Sequence, residues 1–199
     1  MRDDTTNLYI NFVLHAIFGL LAEADGLMRK YGERIRIAAD ALTFAIPTSP
    51  RTLYRGVLLD PSRPFALDSR TFASWSESPD VARWFACPRS VISEPLASTN
   101  AKLVGHLVEL SSATSRRVLF HHTWARAFGG LSSLARRHPR MGDSGAAQIA
   151  WSLETQREVI TEPLPVTPKL APELDAETLA ALERRFSPPW IVEREGVRI

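Results

Sequence analysis

Apolar side chains recur at helical spacing at the start of the chain. Ile10, Val13, Leu14, Ile17 and Leu21 fall on one face of a 3.6-residue period, and Asn7 stands where it can cap the first turn. The spacing predicts an amphipathic helix over 8–24. The apolar run from Leu8 to Ala22 is short of the roughly 20 residues of a membrane span, and Asn11 and His15 interrupt it. It reads as a buried helix with no membrane role, and His15 as a core or edge histidine rather than a ligand. A second helix is predicted over 27–45, ended by Pro47 and Pro50.

Beyond residue 50 the period shortens. Leu53-Tyr54-Arg55-Gly56-Val57-Leu58 and Thr71-Phe72-Ala73-Ser74-Trp75-Ser76 read as short strands separated by a turn-rich loop with Pro61 and Pro64. Ser78-Pro79-Asp80 opens a helix carrying Val81, Ala82, Trp84, Phe85 and Ala86, with Ser78 as cap and Pro79 in the first turn. Residues 103–110 are rich in strand formers and read as a central strand buried on both faces, its His106 structural. A short strand at 117–120 and a helical stretch over 124–137, broken at Gly129-Gly130, follow. By composition 139–147 is a loop, the end of 150–160 is strand-like, and a proline-rich connector leads to a charged helix over 176–185. Residues 190–199 read as an edge or returning strand. Two helices, then short strands with helices between them and no glycine-rich phosphate loop, predict an α+β fold rather than a doubly wound sheet. No internal repeat is visible. The expected organisation is a helical segment over 1–50 packed on the core and one catalytic domain over 51–199.

Composition narrows the class. With 199 residues, 45% hydrophobic and 23% charged, the chain can bury one real core and is neither disordered nor membrane-like. A formal charge of +2 is too small to predict nucleic-acid binding by field alone. Placement says more: Arg116, Arg117, Arg126, Arg136, Arg137 and Arg140 crowd one stretch, which is either a phosphate-binding face or a solvated one. The only cysteine, Cys87, excludes an internal disulfide and multi-cysteine metal sites, and reads as a small core residue on the buried side of a helix. His121 and His122 are consecutive and cannot share one side of a regular strand, so no metal is expected. Arg2, Asp3 and Asp4 lack the basic flank of a secretion signal, which makes a cytoplasmic location the expectation; delivery to a target cell without a cleavable signal is the alternative.

Three separated pieces carry candidate chemistry: Leu53-Tyr54-Arg55-Gly56, then Phe72-Ala73-Ser74-Trp75-Ser76 with Val81-Ala82-Arg83-Trp84-Phe85-Ala86 behind it, then Gln156-Arg157-Glu158-Val159-Ile160. Read alone, Arg55 can be a strand-end ion pair, and Ser74 and Ser76 one polar strand face. Period two would aim Gln156 and Glu158 at the same side of a strand. In order and spacing, the set resembles the Arg, Ser-x-Ser and Gln-x-Glu signature of the bacterial-toxin-like mono-ADP-ribosyltransferases. The resemblance covers roughly 53–160 and leaves the N-terminal helices and the tail unassigned. It departs from the arginine-modifying branch, which has Glu where this chain has Gln156.

That resemblance implies two packed small sheets with flanking helices, NAD as substrate, and no metal. It implies that Arg55 grips the NAD diphosphate, with Tyr54, Gly56, Ser74, Trp75, Ser76 and Phe85 lining the cofactor site. Glu158 would stabilise the oxocarbenium-like transition state in which the nicotinamide bond breaks, and Ser74 would steady it. Gln156 would face the acceptor, helped by Trp151, Arg116 and Arg117, although Trp151 can equally be a core anchor. An amide suits a protein amide or a base edge, so the expected acceptor is RNA or DNA slightly before protein. An antitoxin or immunity protein would be a natural partner. An NAD glycohydrolase, in which water replaces the acceptor, and an inactive binding module are the competing readings.

Overall fold

The structure is a computed structural model that describes residues 4–46, 52–62, 71–100, 102–110, 117–163 and 166–188. The strand expected at 190–199 and the acceptor-side Arg116 lie outside the described residues. The helices are α1 (Asp4–Phe18), α2 (Leu21–Ala45), α3 (Pro79–Ala86), α4 (Glu94–Ala97), α5 (Leu131–Arg137), α6 (Gly142–Trp151) and α7 (Ala176–Phe186). The strands are β1 (Leu53–Leu59), β2 (Ala73–Ser76), β3 (Val104–Leu110), β4 (Val118–His121), β5 (Glu158–Thr161) and β6 (Lys169–Leu170). The fold is α+β. Hydrogen bonding links the strands in the order β4-β5-β2-β1-β3-β6, a single ladder where two packed sheets were expected. The chain divides into two compact units, each discontinuous: Met1–Pro50, Asp68–Trp75 and Ser115–Leu164 form the first, and Arg51–Leu67, Ser76–Thr114 and Pro165–Ile199 the second.

In the first unit α1 is the spine of the core. Phe12 and Val13 have no solvent exposure, and with Leu14 and Ile17 they join Met28 and Ile35 of α2, Leu119 and Phe120 of β4, and Ile160 of β5. Each such side chain contributes about 1.5–3 kcal/mol on burial. Polar atoms caught in this core find partners: the Tyr9 hydroxyl donates to the Leu119 carbonyl at 2.6 Å, and the Trp124 indole to the Ile46 carbonyl at 3.1 Å. The helix predicted over 8–24 is in fact two. Gly19 takes φ +87°, a left-handed conformation that ends α1 and that glycine adopts without penalty. α6 occupies part of the stretch read as loop from its Gly, Ser and Asp content, because it buries Ala146 and Ile149, and burial outweighs weak helix propensity. Among the described residues, no helix is long and apolar enough to cross a membrane.

In the second unit the Ser78 hydroxyl accepts the Val81 amide at 3.4 Å, and Pro79 begins α3, as its sequence predicts. α3 packs on β1 and β3 at a distance only glycine permits: a Cβ on Gly56 would lie 1.9 Å from the Ala82 carbonyl oxygen, and one on Gly105 1.9 Å from that of Ala86. Leu58 pairs with Gly105 and Gly56 with Leu107, so both glycines stand on one face of the sheet. Glu183 of α7 accepts the Trp84 indole N–H at 3.2 Å and the Val91 amide at 2.9 Å, fixing α7 to the end of α3. β3 has β1 and β6 on its two sides, yet Val104 and Glu109 are exposed, so it is not buried on both faces as expected. Cys87 is buried just past the end of α3 rather than within it.

Replacing Gly56 by alanine is expected to cost about 1–3 kcal/mol, since the obstacle is helix backbone and cannot swing aside. Gly26, exposed in α2 with nothing within 4 Å of its Cβ position, is the contrast: Gly26→Ala should stabilise by about 0.5–1 kcal/mol. Urea denaturation midpoints of the two variants check both signs. A pH effect follows from His15, whose two ring nitrogens are buried and make no hydrogen bond among the described residues. Burial, then His138 and Arg140, hold its imidazole below the ordinary value of 6.5, with Glu23 pulling the other way. Because the unfolded chain takes up this proton more readily, stability is full above 6.5 and falls as pH drops through 6.5 toward the lowered native value. His15→Leu should flatten that part of a stability-against-pH curve; an unchanged slope would remove His15 as its cause.

Candidate functional site

In the second unit, β1 carries Tyr54, Arg55 and Gly56. Arg55 pairs across the ladder with Val108, on the face opposite the two glycines that receive α3. Its side chain is half-buried, and its Nη1 is withdrawn from solvent. Tyr54 and Ser76 are directly opposite one another where β1 meets β2. Ser76 is buried, and its hydroxyl accepts the Ser78 amide at 2.9 Å, so this serine ties the end of β2 to the cap of α3. Phe85 lies half-buried on α3, edge-on to Trp84 with ring centroids 5.4 Å apart. The space above Gly56 is filled by α3 backbone, which gives this glycine a packing role.

In the first unit, Glu158 is the first residue of β5 and only 5% exposed. Placed on a strand and buried, its carboxylate is held rather than trailing in solvent, which is what a charge-stabilising group requires. Ser74 is half-buried on β2. Trp75 is buried, and its indole donates to the Thr161 hydroxyl of β5 at 2.9 Å, a bond that occupies its only donor in holding the unit together.

Gln156 corrects the strand reading. The residues Ser152–Gln156 form a π-helical turn continuing α6, and Arg157 follows in the left-handed region at φ 50°, ψ 57°. β5 therefore starts only at Glu158, and strand alternation does not set the direction of Gln156 relative to it. The left-handed residue turns the chain abruptly between helix and strand and leaves Gln156 half-buried just ahead of the carboxylate. Trp151 ends α6 and is half-buried.

Three arginines of this stretch pair with carboxylates. Arg117 lies 3.5 Å from Asp40, Arg136 2.8 Å from Asp143 and Arg140 2.8 Å from Glu23, all exposed pairs of small energetic value. His121 and His122, which the sequence reading set on opposite sides of a strand, come together. The strand ends at His121, so the alternation that would separate the rings no longer applies, and they stack with centroids 4.6 Å apart and planes at 28°. His121 Nδ1 lies 2.9 Å from the Thr123 hydroxyl and accepts the Thr123 amide, starting the 3-10 helix His122–Phe128. His121 pairs with Val159; the next residues along the two segments are His122 and Glu158. No family model, curated protein or solved structure matches the chain.

The turn before Glu158 has a measurable strain. A left-handed non-glycine residue costs about 1–2 kcal/mol, so Arg157→Gly is expected to be neutral or stabilising by about 1 kcal/mol. Arg157→Val, whose branched Cβ opposes that conformation, should lose stability by about the same amount or more. Urea melts of the pair, compared with wild type, read the turn directly.

Proposed function

We propose that this protein transfers ADP-ribose from NAD to a macromolecular acceptor, with nucleic acid favoured over protein. The reading is supported by Glu158, a carboxylate buried at the start of β5, and by Ser74 on β2, the ladder neighbour of β5 in the same unit; Arg55 on β1 is the diphosphate residue of the proposal. The donor set suits the dinucleotide, with a guanidinium fork for the diphosphate, a hydroxyl for the ribose and a buried carboxylate for the sugar carbon where positive charge develops. In the transfer, the bond from the ribose anomeric carbon to the nicotinamide nitrogen breaks and nicotinamide leaves with the electron pair. The acceptor nucleophile then bonds to that carbon and gives up its proton to solvent. Gln156, half-buried in the turn just before Glu158, is the acceptor-side residue of the proposal, its amide able to pair with a base edge or a protein amide.

Glu158→Gln keeps shape and removes the charge. Transfer of label from radiolabelled NAD to lysate RNA, DNA or protein should fall by at least about a hundredfold while cooperative unfolding is retained. Undiminished labelling by the variant would overturn the assignment of Glu158. Label that resists nuclease but not protease would move the acceptor to protein, and NAD consumed with no labelled macromolecule would replace the transferase by a glycohydrolase.

A further inference from the structure

We infer that the first unit carries a second binding site, for one phosphorylated nucleotide unit, in the groove between α1 and the end of α5. The groove encloses about 420 Å³, within the roughly 300–1,000 Å³ of small-ligand pockets and far more than a lone anion would fill. Its floor is apolar, lined by Ile10 and Leu14 of α1, both nearly buried in the core, and by the half-buried Leu134 of α5. Its polar groups are Asn7 and Asn11 on α1 and Arg137 and His138 at the end of α5, with no carboxylate in the lining.

Each polar group is directed by its local chemistry. The Arg137 Nε donates to the Ser133 carbonyl at 3.2 Å, which anchors the guanidinium by its inner nitrogen and leaves the outer fork to meet two phosphate oxygens. His138 accepts the Arg140 amide on Nδ1 at 3.3 Å, which leaves Nε2 as the ring's remaining polar atom. Asn11 is exposed, and its amide offers both a donor and an acceptor to a base edge. Asn7, Asn11 and His15 stand four residues apart, giving α1 a polar stripe along an otherwise buried helix. The His15 ring meets His138 edge-on at 5.2 Å. The ion pairs of Arg136 and Arg140 absorb the neighbouring cations and leave Arg137 as the arginine lining the groove. This site uses none of the residues assigned to NAD.

The same chemistry is offered by a free nucleotide and by one unit of a single strand, and the test separates them. Binding of 5′-uridine monophosphate is read by calorimetry, and binding of a short fluorescein-labelled oligouridylate by anisotropy. Wild type is compared with Arg137→Ala and Asn11→Asp, both exposed positions whose folding is verified by thermal melts. Loss of about tenfold or more in affinity in both variants is expected, the size of a lost charge-assisted contact or an added repulsive charge. Binding of the monophosphate assigns the site to free nucleotides; binding of the oligonucleotide alone, with the same losses, assigns it to a strand. No binding of either probe to wild type, or equal binding by wild type and both variants, overturns the proposal.

Discussion

Backbone laid directly on backbone is the constraint around which the second unit is built. α3 approaches β1 and β3 so closely that no side chain fits at Gly56 or Gly105, and both glycines sit on one face because of the ladder register. That contact fixes where β1 lies, and with it the opposite face that carries Arg55. It also fixes where α3 begins: the Ser76 hydroxyl holds the Ser78 amide, and the Ser78 hydroxyl caps the helix. A motif that reads as cofactor chemistry in sequence, Tyr-Arg-Gly, is therefore half packing. The glycine is spent on the helix, and Arg55 stands on the other face of the sheet.

The first unit reaches the same end by a different route. Its strands β4 and β5 are short, and what holds them is the apolar face of α1 together with a few internal polar bonds, such as those of Tyr9 to Leu119 and Trp75 to Thr161. A carboxylate buried at the start of β5 is costly to remove from water, and such a group persists only in a frame that over-determines its place. The left-handed turn at Arg157 is a second departure from relaxed geometry next to the same residue. Both local costs fall on neighbouring residues, Arg157 and Glu158.

Much of this was legible in the residues. The two opening helices, the capped start of α3, β1, the break at Gly129-Gly130 and the charged α7 follow from period, caps and prolines. What was missed has common causes. The α1–α2 break hinges on one glycine whose conformation is decided by how both helices meet the core. α6 is weak as an isolated helix and exists because Ala146 and Ile149 have something to be buried against. Gln156 looked aligned with Glu158 because a two-residue period was assumed across a segment that is a π turn followed by a left-handed residue.

The sequence by itself determined the class of the fold, most element positions and the identity of the chemically capable side chains, because these depend on local periodicity and on what each residue can donate, accept or hold. Strand order, the close seat of α3, the stacking of His121 on His122 and the pairing of three arginines with carboxylates belong to the tertiary structure alone. They arise from contacts between segments distant in sequence, whose energies are set by burial and register, and no local pattern encodes which distant partner wins.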